Sequence, residues 1–196
     1  MAAPILLNEI LAKYTGAARH LPAGAASSAL TPEETALVRG DGFPADVPLT
    51  AWTRVDVARY IQLRDLAASM TPAEFAGTAL ACFEQGDAGE QASWCRAVSL
   101  LPRPEQYLPR VIDACRTNIL PLFEAIACEN PYPAAFFPEA NFNQLVLKAM
   151  FNGIALARIA GLDRRRNAEL SRMATDYAAE RTAANRPVPP DIALAQ

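Results

Sequence analysis

Apolar residues recur along most of this chain at intervals of three and four. No window holds the sustained alternation of β-branched residues that a half-buried strand needs. The pattern predicts an all-α protein. A first helix covers 4–16, with Ile5, Leu6, Ile10 and Leu11 on one face and Gly16 near its end. Residues 17–50 read as loop-rich around a short helix at 32–39. A strong helix follows at 51–69, built on Val55, Ala58, Ile61 (or Tyr60) and Leu66. Further helices are expected at 72–85 and 88–100, separated by Gln85-Gly86-Asp87-Ala88-Gly89. The next two cover 104–118, with Pro109 as an alternative start, and 121–129, opened by Pro121. A long helix at 138–158 stops around Gly161, and the last runs over 167–184. The tail Arg186-Pro187-Val188-Pro189-Pro190 cannot continue a helix, because proline lacks the N–H and its ring collides with the preceding turn.

One signature punctuates this pattern. Thr31-Pro32-Glu33-Glu34, Thr71-Pro72-Ala73-Glu74, Arg103-Pro104-Glu105-Gln106 and Phe137-Pro138-Glu139-Ala140 each set a proline just before a carboxylate. Proline suits the first helical position, where its missing N–H has no partner anyway. The carboxylates favour the positive end of the helix dipole, and Thr31 and Thr71 are natural N-caps. The four prolines lie 40, 32 and 34 residues apart, close to the period of paired-helix repeats. Aligned on Pro72 and Pro104, Phe75 falls over Tyr107, Ala79 over Val111 and Leu80 over Ile112. The expected architecture is a stack of antiparallel helix pairs, α-solenoid-like in the HEAT manner, in a single domain spanning 1–196. Residues 1–70 would be its irregular start, 71–185 the helix pairs and 186–196 a Pro-rich tail.

Composition narrows the function classes. With 196 residues, 52% of them hydrophobic, the chain can bury a real core without staples, as one domain or two close halves. Its net charge of −3 argues against nucleic-acid binding, which leaves a basic face. The one basic run, Arg164-Arg165-Arg166, reads as a solvated turn or an anion contact. The start Met-Ala-Ala-Pro-Ile-Leu-Leu-Asn-Glu lacks the cation and the unbroken apolar run of a secretory signal. No stretch reaches the roughly 18 apolar residues of a spanning helix. A cytoplasmic protein without membrane insertion is expected. Cys82, Cys95, Cys115 and Cys128 form no Cys-x-x-Cys pair and sit among apolar residues, so they read as buried, reduced thiols. No metal and no cofactor is expected. Nucleophile elbows, phosphate loops and dinucleotide fingerprints are absent.

Candidate chemistry gathers between residues 115 and 181, where amides and charges interrupt helix-forming residues. On the helix after Pro138, Asn141, Gln144, Lys148 and Asn152 share one stripe, opposite an apolar face of Phe142, Leu145, Val146, Ala149, Met150 and Ile154. Such a stripe can line a pocket for a polyol, a phosphate or a peptide carbonyl, or it is a solvated face. Arg116, Asn118 and Glu124 flank the Pro121 break; an Arg–Glu pair there holds the bend or grips an anion. Asn130-Pro131-Tyr132-Pro133 reads as a rigid turn, with Asn130 capping the preceding helix and Tyr132 projecting as an aromatic wall. Asp176 and Glu180 share a helix face, either as an acid–base pair or as surface charge answered by Arg172 or Arg181. His20 reads as a surface residue or a general base, and Trp52 and Trp94 as core anchors.

Several of these segments occur together in one known family. Arg116-Thr117-Asn118, Phe123-Glu124-Ala125-Ile126-Ala127, Asn130-Pro131-Tyr132-Pro133, Asn143-Gln144-Leu145-Val146-Leu147-Lys148-Ala149, Gly161-Leu162-Asp163-Arg164 and Asp176-Tyr177-Ala178-x-Glu180-Arg181, in this order, resemble the EboA family of bacterial proteins. The likeness covers about residues 100–190, with Trp52, Asp56 and Arg59 as upstream support. Thr182 stands where the family pattern carries an aromatic. The resemblance implies a component of the ebo gene cluster, encoded beside a UbiA-type prenyltransferase, a dehydroquinate-synthase-like protein and TIM-barrel or phosphatase-like enzymes. It implies a part in making a secondary metabolite, or in moving scytonemin precursors. It implies no catalytic residues.

Two functions follow as expectations. The first is an accessory protein that binds a polar or phosphorylated small molecule, or partner enzymes of the same cluster. Its candidate ligand-binding residues are Arg116, Asn118, Glu124, Tyr132, Asn143, Gln144 and Lys148. The second is an enzyme acting on a phosphorylated or polyol intermediate, with Arg116 and Lys148 binding an anion and Glu124 or Asp176 as acid–base residue. A homodimer that completes apolar helix faces is a third arrangement.

Overall fold

The structure, a computed structural model, describes residues 4–196, with side chains from Leu6 onward. Ile5, expected on the apolar face of the first helix, lies outside the described side chains. The described residues form eleven α-helices and no strand, so the fold is all-α. Helix α1 (Pro4–Thr15) runs into a 3-10 turn at Gly16–His20, followed by α2 (Pro32–Gly40), α3 (Arg54–Ser69), α4 (Pro72–Glu84) and α5 (Ala88–Ala97). Then come α6 (Leu108–Ala114), α7 (Leu120–Ala127), α8 (Tyr132–Phe136), α9 (Glu139–Phe151), α10 (Leu162–Arg165) and α11 (Ala168–Ala183). The chain divides into two compact units, one ending at Ile126 and the other spanning Ala127–Gln196.

Helix starts follow the capping chemistry. The Thr31 hydroxyl accepts from the Glu34 N–H at 3.2 Å while the Glu34 carboxylate accepts from the Thr31 N–H at 2.9 Å, a reciprocal box that opens α2. Thr71 and Glu74 repeat the arrangement at α4. Asp87 and Glu90 form a box at α5 that carries no proline. The other two prolines of the signature act differently. Pro104 opens only a 3-10 turn, Pro104–Tyr107, because Pro109 has no N–H to donate back into an α-helix begun there. The α-helix restarts at Leu108 with Pro109 in its first turn. Pro138 sits at the N-cap of α9, its carbonyl accepting from the Phe142 N–H at 3.0 Å.

Helix stops correct one expectation. The helix expected over 138–158 ends at Phe151. Gly153, at φ +70°, takes the left-handed conformation, and the Ile154 and Gly153 N–H groups bond back to the Ala149 and Met150 carbonyls at 2.9 and 3.1 Å. This is a Schellman stop, sealed by the buried Ile154. Asn185, at φ +53°, closes α11 in the same way. Gly161, expected as a stop, is instead the left-handed N-cap of α10.

In the first unit α3 packs on α5 and α4, and α1 on α4. Trp94 is fully buried between Phe83 and Tyr107, at ring distances of 5.0 and 5.3 Å. Trp52 lies between Phe43 and Tyr60. Both tryptophans are core anchors, and each large side chain buried in this way contributes roughly 1.5–3 kcal/mol. Arg39 ties down the loop after α2 by donating to the Pro44 carbonyl and, at 2.7 Å, to that of Val47.

The second unit closes around Phe142, Val146, Leu156 and Leu170, all fully buried. Two arginines pin its turns. Arg158 grips the Glu129 carboxylate with two N–H groups at 2.8 and 3.0 Å, holding Glu129 at φ +45°. Arg165 donates to the Ala134 and Phe137 carbonyls, both at 2.7 Å, and lies over the Phe142 ring. The Pro-rich tail folds back, with Ile192 and Ala195 buried and the Asp191 carboxylate accepting from the Leu156 N–H at 2.5 Å.

Candidate functional site

Four charged side chains meet in the interior of the first unit. Asp56, in the first turn of α3, accepts from the Thr53 N–H and hydroxyl at 2.7 and 2.8 Å. Its other oxygen accepts from the Ser93 hydroxyl at 2.5 Å and from Arg96 at 3.4 Å. Arg59, one turn along α3, donates to Ser93 Oγ at 2.8 Å and lies 3.7 Å from the Glu90 carboxylate. It also reaches the Tyr14 carbonyl at 3.3 Å and lies over the Tyr14 ring. Two arginines thus balance two carboxylates, and Ser93 bridges them. A buried charge left unpaired would cost several kcal/mol, so α3 and α5 are held in one register by charge as well as by packing. The Tyr14 hydroxyl donates to the Glu90 carbonyl at 3.1 Å. Burial, reinforced by Cys82, pushes this hydroxyl well above the ordinary phenol range despite Arg59.

Tyr14 also belongs to the wall of a cavity of about 980 Å³. This volume lies near the top of the range for small-molecule sites. Helix α1 lines it with Leu6, Ile10 and Lys13, and the following 3-10 turn with Arg19 and His20. Helix α3 contributes Gln62, Asp65, Leu66 and Ser69, at intervals of three, one and three, which place them on one face. Met70 and Glu74 complete the wall at the start of α4. The inner surface is mainly aliphatic and the charges sit toward solvent, because α1 turns its Ile10 edge inward and leaves Lys13 exposed. Gln62 Oε1 is buried with no hydrogen-bond partner among the described residues. A donor brought against that oxygen would relieve a cost of about 1–3 kcal/mol.

The candidates from sequence fall in both units. In the first, Arg116 is 79% exposed and pairs with Asp113 at 3.4 Å, Asn118 is exposed, and Glu124 is half-buried in α7. In the second, Tyr132 is fully buried, 4.7 Å from the Phe136 ring, so it is a core aromatic within that unit and not a projecting wall. The Asn130-Pro131-Tyr132-Pro133 turn is the entry to α8. Asn130 Oδ1 accepts from the Tyr132 N–H at 2.9 Å, two residues on, an Asx turn that leads into α8. Asn143 is buried and exchanges two hydrogen bonds with Asn167, at 3.1 and 2.9 Å. Asn167 Oδ1 at the same time caps α11 through the Leu170 N–H at 2.9 Å. Asn143 therefore fastens α9 to the start of α11. Gln144 is exposed and Lys148 half-buried on the polar side of α9. Asp176 is exposed and paired with Arg172 at 2.6 Å, the surface-charge alternative.

A model of the family described as metabolite traffic protein EboA matches residues 23–195. The chain belongs to the EboA family. No curated protein and no solved structure matches it. The EboA match takes in α2 to α11, and so the α3 and α4 wall of the cavity and the Asp56–Arg59–Glu90–Ser93 network. Helix α1 and the Gly16–His20 turn lie upstream of it. Among the described residues no group of His, Cys, Asp and Glu is arranged to hold a metal, and no helix is long and apolar enough to cross a membrane. Apart from His20, read as a surface residue or a general base, the cavity residues were not singled out from sequence as a site. Their signal was the mixed face of Gln62, Leu66 and Ser69, which reads as solvated surface until α1 covers it.

Proposed function

We propose that this EboA-family chain is an accessory protein of metabolite traffic that binds a small molecule without transforming it, in the cavity between α1, α3 and α4. The observation that carries the reading is the cavity itself: about 980 Å³, aliphatic inside, charged at its rim. Tyr14 in its wall is held by Arg59 and Glu90, so the cavity adjoins the buried charge network of the unit. A preformed chamber lowers the ordering cost of binding. The family's description as metabolite traffic proteins supports a carrier or presenting role in a biosynthetic pathway. A HEAT-like stacking of the helix pairs and a cytoplasmic setting belong to the same reading.

The test is binding of the fluorophore 1-anilinonaphthalene-8-sulfonate, measured by titration on the folded protein. Ala12→Trp and Leu66→Trp each place an indole in the cavity, one from α1 and one from α3. Both are expected to weaken binding at least tenfold while the thermal midpoint by circular dichroism stays within a few degrees. Undiminished binding in both variants would show that the probe sits elsewhere and would end the cavity reading.

A further inference from the structure

The charges around the cavity are not equally available. The Asp65 carboxylate is taken by Arg64 at 3.2 Å. The Glu74 carboxylate is taken by the N-cap of its own helix, accepting from the Thr71 hydroxyl at 2.7 Å and from the Thr71 N–H at 3.1 Å. These bonds hold Glu74 below its usual carboxylate range, with the Thr71 hydroxyl as the main cause. By contrast the side chains of Lys13, Arg19 and His20 form no hydrogen bond or ion pair with any described residue, and the same is true of the Glu9 side chain. Lys13, Arg19 and His20 thus share the rim of a largely apolar cavity with three carboxylates, of which Glu9 is the one without a bond to a described residue, in a chain whose net charge is −3. Arg64, Arg110 and Arg172 each pair with carboxylates, whereas Arg19, like the exposed Arg103, Arg166 and Arg186, pairs with none among the described residues.

We infer that the molecule this cavity takes is an anionic amphiphile: an apolar chain or ring system lodged between Leu6, Ile10, Leu66 and Met70, with a phosphate, sulfate or carboxylate head against Lys13 and Arg19. The inference rests on the cavity reading above and adds the ligand's chemical class. Arg19 presents a planar fork suited to two oxygens of such a head, and Lys13 a mobile point charge. The apolar body supplies most of the affinity through burial, and the head sets the preference among bodies of equal size. Both cations lie upstream of residues 23–195, so the preference is a property of this chain's own first segment, not of the matched family region.

The experiment compares three twelve-carbon probes by isothermal titration calorimetry on the full chain, each below its aggregation concentration: dodecyl phosphate, dodecanol and dodecyltrimethylammonium. Dodecyl phosphate is expected to bind at least about tenfold more tightly than dodecanol, the effect of two partly screened ion pairs, and the ammonium probe most weakly. In the double variant Lys13→Glu with Arg19→Glu this order should reverse while dodecanol binds as before. Equal binding of phosphate and alcohol in the native chain would overturn the inference and leave the cavity reading standing. Absence of binding by all three would end both. A parallel arm spins the protein down with phosphatidylglycerol vesicles. Pelleting without binding of monomeric dodecyl phosphate would assign the cations to a bilayer surface and overturn the inference.

Discussion

Replacing Asp56 by asparagine tests whether the buried charges of the first unit hold it together. The carboxylate is 2% exposed and accepts from Thr53 twice, from Ser93 and from Arg96. Asparagine keeps the shape but offers one acceptor oxygen and one donor nitrogen. On one side a donor then meets a donor, either the Thr53 pair or the Ser93–Arg96 pair. Arg96 loses its carboxylate partner, while Arg59 still faces Glu90. Breaking one partner out of a buried ionic set costs about 3–5 kcal/mol. For a chain of this size each kcal/mol moves the thermal midpoint by roughly 2–4 °C, so a fall of roughly 10 °C is expected. Urea unfolding followed by tryptophan fluorescence reports this unit selectively, because Trp52 and Trp94 are the only tryptophans and both belong to it. The slope should be unchanged and the midpoint lowered. Ser93→Ala and the double variant complete a cycle, and coupling of about 0.5–3 kcal/mol between Ser93 and Asp56 is expected. A loss below about 1 kcal/mol, the range of an exposed ion pair, would refute the reasoning, as would strict additivity.

Three further outcomes follow from single contacts. Asn143→Ala should lower stability by about 1–3 kcal/mol, since it removes both hydrogen bonds that join α9 to Asn167, while Arg116→Ala at its exposed pair should change it by less than about 0.5 kcal/mol; thermal melts that rank the two in the opposite order would restore Asn143 as a ligand residue. Gly77→Ala, in the interior of α4 with open space around it, should stabilise by roughly 0.5–1 kcal/mol. Gly161→Ala should destabilise by more than about 1 kcal/mol, because φ is +73° and the new Cβ would lie 2.7 Å from that of Ala134; equal midpoints for the two variants would contradict this. Burial pushes the Cys82 thiol up to about 12 and raises that of Cys95 as well, so both stay protonated and shielded at pH 8. Cys128 is also buried and Cys115 only partly. A disulfide exchange reagent should therefore label at most one thiol quickly in the native protein and all four in guanidinium chloride; rapid labelling of two or more would show the core to be open.

The chain's local chemistry determined much of what is observed. Thr31, Thr71 and their carboxylates three residues on open helices, since a capping box needs only four consecutive residues. Gly153 and Asn185 close helices for the same reason, although the run after Pro138 was read as passing over Asn152-Gly153 to a later glycine. Apolar periodicity was sufficient to identify an all-α fold and the buried tryptophans, because a helix must cover its apolar face somewhere. The family, too, was legible in linked segments from Arg116 to Arg181. Burial was not. Asn143, Gln144 and Lys148 are neighbours of the same helix, and sequence treats them alike. Packing sends Asn143 inward to Asn167 and leaves Gln144 in water. Tyr132 met the same fate beside Phe136. The Asp56–Arg59–Glu90–Ser93 cluster joins residues more than thirty positions apart, and the cavity joins α1 to α3 across about fifty. No local propensity encodes which helix faces meet. That choice is made by the burial of whole apolar faces against one another, so tertiary structure alone decided where this protein keeps its charges and its empty space.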